Sequence, residues 1–397
     1  LTWGSRRGLP KSTPGQKAGK PARAVRKAGG KRPGRLRRLV RTMGLLFAGW
    51  VAIVCVWSAG FIGIKCYSSV PATRPPAVPP PAGIAGYTRA QAFTYLTLPE
   101  WFIVYSTDEY AGFIATRRPS DFPYLGSMRQ YWGFYSTACA ETKRKHPFET
   151  GYHVMLGVIG ASFTIENSLR YAYEHTFGWA TELLSSTDTA EDALARRTAR
   201  EYGTFMHRTP WYEFPFGSRL AALWREVPLT GPHMVRKIER RMALTAEYAI
   251  KGVYGFIIRK ASGAAYEGED LRIYARVADT PLPMLSDPRI KVVQTIGPMQ
   301  FIVSLPRYED FTATTLALTA KGARFTDIAG NDVLLITALA RRGIPTSFPA
   351  AELVSVSPIL SDPTMQRLAL RVRVASLGEA VEQLARAGAS VEHLYDY

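Results

Sequence analysis

The 23 residues from Thr42 to Ile64 (TMGLLFAGWVAIVCVWSAGFIGI) contain no charged side chain. As an α-helix they reach about 34 Å, enough to cross the roughly 30 Å hydrocarbon core of a bilayer. The basic cluster Arg35, Arg37, Arg38 and Arg41 abuts the first turn, Trp50 and Trp57 lie inside the run, and a proline-rich stretch follows it. One transmembrane helix, residues 42–64, is therefore predicted. A cleaved signal peptide is the main rival, but such peptides carry an apolar core of about 7–15 residues and a small-x-small cleavage site. Neither fits here, so the helix is expected to be retained.

Net charge is +18 over 397 residues, which suggests a nucleic-acid partner until the charges are placed along the chain. Residues 1–41 hold 14 Lys and Arg and no Asp or Glu, so the other 356 residues carry only +4. The tail 1–41 is rich in Gly, Pro and Lys and poor in apolar residues, so it is expected to be disordered. Beside a membrane helix it reads as the positive-inside signal, with attraction to anionic lipid headgroups. No nucleic-acid partner is expected. The expected topology is single-pass in the inner (cytoplasmic) membrane of a bacterium, with the N-terminus cytoplasmic and residues 66–397 periplasmic. The chain begins with Leu1; a start at Met43 would remove the tail and with it this orientation argument.

Residues 65–86 hold six prolines between Pro71 and Pro81. Proline fixes φ and removes donors, which predicts an extended linker able either to hold a domain roughly 40–50 Å from the bilayer or to track along its surface. Of the three cysteines, Cys55 lies inside the membrane run. That leaves no disulfide framework and no Cys-based metal motif. A Cys66–Cys139 bridge would require an oxidising compartment, and the expectation is that the two are not joined.

Residues 87–262 read as a helical domain. From Tyr87 to Ala180, 21 of 94 residues are Phe, Trp or Tyr. Aromatics at helical spacing, such as Trp101, Tyr105 and Tyr110, point to core packing. Pro99, an Asp188/Glu191 capping box and Thr230 with Pro232 mark helix starts, while Pro119, Pro123, Pro147, Pro210 and Pro215 divide the block into about six helices. The apolar run Gly151–Ile165 is shorter than the roughly 17 residues a crossing needs, so a buried core helix is expected there, against a second membrane segment. Gly157 and Gly160 fit close helix packing. The aromatic turn Thr209–Phe216 precedes Arg236, Lys237, Arg240 and Arg241, for which a solvated face is expected in preference to a headgroup contact.

Five of the six histidines fall in this domain, with His393 near the C-terminus. Glu149 and His153 are four residues apart, and Glu166, Arg170 and Glu174 continue along one face with His175 adjacent. The candidates for acid/base or ligand chemistry are therefore Glu166, Glu174, His153 and His175. A carboxylate-bridged metal site in a bundle would need Glu-x-x-His pairs on two helices, and that spacing is missing. An ion-pair stripe from Glu166 through Arg170 to Glu174 is the simpler expectation. No nucleotide, zinc-protease or hydrolase motif occurs, so no cofactor and no metal are expected.

From about Glu267 to Tyr397 the pattern changes to β-branched strands alternating with short helices. An internal repeat with an offset of 66 residues aligns Met299-Gln300 with Met365-Gln366, Phe311 with Leu377 and Gly322-Ala323 with Gly388-Ala389. Each copy reads as strand, amphipathic helix ending at Gly, and strand, which predicts a ferredoxin-like α/β sandwich of tandem βαβ units. DLRIYARV, RIKVVQTI and DVLLITAL would extend or decorate it. Leu-Ser-Asp-Pro at 285–288 and again at 360–363 supports a competing offset of 75.

The fold class expected is thus α+β: basic tail, membrane helix, linker, helical domain 87–262 and α/β domain 267–397. Two functions remain open. One is a membrane-anchored accessory or binding protein with a protein partner in the bacterial envelope. The other is a membrane-associated enzyme or small-ligand binder with an aromatic-lined pocket in the helical domain. Nothing in the sequence decides whether the protein is an enzyme.

Overall fold

The computed structural model describes residues 35–71, 77–185, 187–262 and 271–397. The tail before Arg35, the middle of the linker at 72–76 and most of the predicted domain boundary at 261–270 lie outside the described residues. Of the described residues 57% are helical, and two antiparallel four-stranded sheets complete the architecture. Helix α1, Arg35–Phe61, continues as a π-helical turn, Ile62–Cys66. Among the described residues, the segment Arg41–Cys66 is the one helix long and apolar enough to cross a membrane.

Residues 51–397 form one compact unit. Its helices are α2 (Phe93–Thr116), α3 (Tyr124–Thr142), α4 (Thr150–Tyr173), α5 (Trp179–Leu183), α6 (Ala190–Met206), α7 (Phe216–Arg225) and α8 (Met234–Ser262). The prolines at 119, 123, 147, 210 and 215 fall between helices as expected, because a residue preceding proline is driven out of the α region. Pro99 instead lies inside α2, which begins six residues earlier. The N-cap of α6 is Thr189, whose hydroxyl accepts from the Asp192 amide while the Asp192 carboxylate accepts from the Thr189 amide. The capping box is thus shifted one residue from Asp188/Glu191. The aromatic block packs as a core: Tyr131, Tyr135, Phe102 and Leu156 are buried together between α2, α3 and α4.

The first sheet comprises β1 (Arg272–Ala278), β2 (Lys291–Gly297), β3 (Gln300–Pro306) and β4 (Arg324–Ile328), in the order β2-β3-β1-β4. Helix α9, Glu309–Ala320, joins β3 to β4. The second sheet comprises β5 (Val333–Arg341), β6 (Ala351–Pro358), β7 (Met365–Arg373) and β8 (Ser390–Tyr395), in the order β6-β7-β5-β8, with α10 (Leu377–Arg386) joining β7 to β8. DLRIYARV and DVLLITAL supply β1 and β5, which are inner strands and not decoration. Both sheets feed one core, with Ile273, Val303 and Phe325 from the first and Ile336, Leu368 and Leu394 from the second.

The sheets and helices share groups as well as surface. Thr94 on α2 donates to the Tyr395 carbonyl at 2.7 Å and accepts from the Leu335 amide at 2.9 Å. Leu335 and Tyr395 themselves belong to the core around α2 and α3.

Two expectations about the linker are overturned. Cys66 and Cys139 form a disulfide, with Cα atoms 4.6 Å apart across a sequence separation of 73. The end of α1 is carried to α3 by aromatic packing: Trp57 meets Trp132 edge-on at 4.4 Å, and Phe61 lies 5.2 Å from Tyr135. Spacing along the sequence could not show this, because the pairing depends on how α1 docks. The described flanks of the proline-rich segment, on either side of 72–76, likewise lie against the body and do not hold it away. Ser68 donates to the His146 carbonyl at 2.7 Å, the Val78 amide to Gly330 at 3.1 Å, and the buried Tyr87 hydroxyl to Asp327 at 2.5 Å. Both ends of the segment are bonded to the body.

Candidate functional site

Arg236, Lys237, Arg240 and Arg241 fall at i, i+1, i+4 and i+5 on α8, a spacing that places them on one face of a helix. The structure turns that face inward. All four are 3–5% exposed, which corrects the expectation of a solvated basic face. Their partners come from α6 and from the chain between α4 and α6. Arg236 bonds Asp192 at 2.9 Å and Glu182 at 3.2 Å, and Lys237 bonds Glu191 at 2.9 Å. Arg240 bonds Glu174 at 2.9 Å, and Arg241 bonds Glu191 at 2.6 Å. A buried charge is tolerated only where a partner and hydrogen bonds replace its water, and here each cation has at least one carboxylate. Burial alone would raise the pKa of Asp192, but Arg240 and Arg236 outweigh it and hold the carboxyl below its usual range. At Glu182 burial prevails over the Ser120 hydrogen bond and Arg236, and the pKa is raised.

A second tier lies further along α8. Lys251 bonds Glu166 at 2.9 Å and Glu247 at 3.2 Å, and Arg170 bonds Glu166 at 3.2 Å and also pairs with Glu247. Cavities flank Arg240 on both sides. One, of about 210 Å³, is lined by Arg118, Glu182, Asp188, Asp192 and Arg236. The other, of about 110 Å³, is lined by Tyr110, Phe163, Glu166, Arg170, Tyr202 and Lys251. Aromatic walls with a few fixed charges are what a small-ligand site uses.

The four predicted site residues are not brought together. Glu166 lines the smaller cavity, its side chain 43% exposed. Glu174 is buried against Arg240, so the expected stripe from Glu166 through Arg170 to Glu174 breaks after Arg170, which turns to Glu247. His175 is exposed and rests on its own helix, with Nδ1 3.1 Å from the Tyr171 carbonyl oxygen. His153 is buried near the opposite end of α4. Its ring stacks on Phe148 at 4.4 Å, and its Nδ1 is 3.0 Å from the Tyr135 hydroxyl. It also lies beside the disulfide, close enough for Cys66, Cys139 and His153 to resemble a ligand set. Sulfurs joined to each other offer no thiolate, so this group could hold a metal only after reduction.

Sequence reasoning missed another cluster, where α2 and α6 meet the sheets. His207 Nε2 is 2.6 Å from Asp108 Oδ2, and its Nδ1 is 3.7 Å from Glu309. The hydrogen bond that His207 donates to the Asp108 carboxylate raises the pKa of His207 above its ordinary value, against the opposing effect of burial. His393 lies 3.8 Å, ring to ring, from Trp101, and burial holds its pKa well below the ordinary value. Arg367, also buried there, bonds Glu109 at 3.1 Å and Glu392 at 2.6 Å. These residues lie far apart in sequence, and no local spacing could have grouped them.

Comparison of the chain with protein-family models, with curated proteins and with solved structures finds no match.

Proposed function

We propose that this is a membrane-anchored binding protein of a bacterial envelope, with a body outside the cytoplasm that engages another envelope component. The observation that carries this reading is the Cys66–Cys139 disulfide, which ties the exit of α1 to α3. Disulfides persist in oxidising compartments, so a crosslink at this point favours a body on the non-cytoplasmic side. The basic residues ahead of the membrane run favour the same orientation. Topology reporters fused after Gly86 and after Tyr397 should both report the outside, and mild-detergent purification should retain a protein partner. A cytoplasmic signal at either fusion would contradict the reading.

The sheets suit a binding role. The shared strand order, with a helix linking the third strand to the fourth, supports reading each sheet as ferredoxin-like with its first helix replaced by a turn. The offset of 66 aligns much of β3 with β7 and of β4 with β8, which supports tandem units. Such a fold carries no activity by itself. The two cavities beside Arg240 favour a second reading, a small polar ligand held in the helical body. Saturable binding of a small molecule that Lys251→Met abolishes would support it.

A further inference from the structure

The exteriors of α4 and α8 carry an apolar surface that the reading above leaves unused. On α8 every exposed residue from Met234 to Ile257 is uncharged, among them Val235, Ile238, Met242, Ile250, Val253 and Ile257. On α4 the exposed residues from Gly151 to Ala172 are uncharged, among them Val154, Met155, Val158 and Leu169, and the one charged side chain exposed by more than a third is Glu166, which is ion-paired. This also corrects the expectation of a buried core helix at Gly151–Ile165. Each stretch is about 33–36 Å long at 1.5 Å per residue. Soluble proteins seldom leave so large a contiguous apolar face in water.

The depth of this surface is fixed by α1. Within the uncharged run, Ser58 donates to the Gly157 carbonyl at 3.0 Å, and a Cβ at Gly157 would stand 2.6 Å from Ile62 Cδ1. The first half of α4 therefore lies at the depth of Trp57 to Ile62, wherever α1 lies in a bilayer. The charges in the middle of α4 and α8 are paired with one another: Lys251 and Arg170 are the more deeply set, and Glu166, its side chain 43% exposed, and Glu247 neutralise them. The hydroxyls of Thr164 and Ser168 donate to carbonyls of their own helix. Charges neutralised in pairs and polar groups satisfied within the helix are what a hydrocarbon exterior requires. The exposed cations Arg259 and Lys260 follow the apolar stretch of α8, where headgroups would meet them.

We infer that the outward face of α4 and α8 is a lipid-contacting surface, continuous with the exposed side of α1 and covered by acyl chains. The inference rests on the reading of α1 as a membrane anchor. A hydropathy average over α8 hides this face, because it counts Arg236, Lys237, Arg240 and Arg241, which are buried in ion pairs.

The full chain reconstituted in phosphatidylcholine–phosphatidylglycerol vesicles tests this with a thiol-attached fluorophore. The exposed native Cys55 reports on α1. In a Cys55→Ser background, Val158→Cys and Val253→Cys report on the new face, and Thr204→Cys on α6 reports on water. The expected result is quenching by nitroxide-bearing acyl chains at Cys55 and at both new positions, several-fold stronger than quenching by aqueous iodide, with the reverse at the Thr204 position. Iodide quenching at the new positions, with Cys55 still quenched from the lipid, would place the face in water and overturn the inference alone. Quenching by neither would mean that protein covers it, which also overturns the inference. Loss of lipid quenching at Cys55 would overturn the anchor reading and this inference together.

Discussion

Replacing Glu191 with Gln tests whether the α6–α8 contact is a buried ionic network. Glu191 has no exposed surface. Its carboxylate accepts from Lys237 Nζ at 2.9 Å, from Arg241 Nη2 at 2.6 Å and from Arg241 Nε at 3.2 Å. The amide keeps the volume and removes the charge, which leaves two cations without their shared counter-ion. Removing one partner of a buried pair typically costs about 3–5 kcal/mol. Arg241 retains the carbonyls of Val227 and Pro228, each at 3.0 Å, so most of the loss falls on Lys237. The lower end, about 3 kcal/mol, is therefore expected. Adding Lys237→Met removes that stranded charge and should recover about 1–2 kcal/mol, seen as coupling in a double-mutant cycle. The assay is denaturant unfolding of the full chain in mild detergent, followed by both circular dichroism and tryptophan fluorescence so that coincident transitions can be checked. A loss below about 1 kcal/mol, the value of a solvated pair, would refute the burial of this network.

The same logic separates two of the sequence candidates. Glu174→Gln, which leaves Arg240 with Asp192 at 3.2 Å, should cost about 2 kcal/mol, the loss of one buried hydrogen bond to a charged group, whereas Glu166→Gln on a half-exposed pair should cost less than about 1 kcal/mol; equal losses in the unfolding assay would contradict the geometry. Gly160→Ala would set a Cβ 2.9 Å from the Trp132 ring, and overpacking of that kind should cost about 1–3 kcal/mol. Gly133→Ala, with nothing within 4 Å of its Cβ, should instead stabilise α3 slightly, and a lower melting temperature for it would count against the described packing. His207 has a raised pKa, so its contribution to stability is complete below its unfolded value near 6.5 and is lost as pH rises through the higher folded value. Stability measured against pH should show that fall in the parent and lack it in His207→Gln; a parent curve identical to that of the variant would exclude the pairing with Asp108.

The sequence showed clearly those features that depend on neighbours along the chain. The uncharged run 42–64 became α1, most proline breaks fell between helices, and the aromatic block became core because its periodicity is local. What it hid depends on which way a helix faces. The periodicity of α8 is the same whether Arg236 and Arg240 point to water or to Asp192 and Glu174, and the conventional choice of polar side outward was the wrong one. The disulfide was hidden for a related reason, since Cys66 and Cys139 meet only after α1 docks on α3. His207, Asp108, Glu309 and His393 come from four separate elements, and no spacing rule spans them. The four site candidates are close along the chain, but the 24 residues of α4 separate His153 in its first turn from Glu174 and His175 just beyond its end.

A membrane helix fastened to a body outside the cytoplasm, as proposed, requires Cys66 and Cys139 to be joined in the cell. The most direct measurement is the alkylation state of the three cysteines in the full chain, taken from its own membranes, denatured without reductant and weighed by mass spectrometry. One modified cysteine, Cys55, is expected, with Cys66 and Cys139 becoming reactive only after reduction. Three modified cysteines without reductant would contradict it.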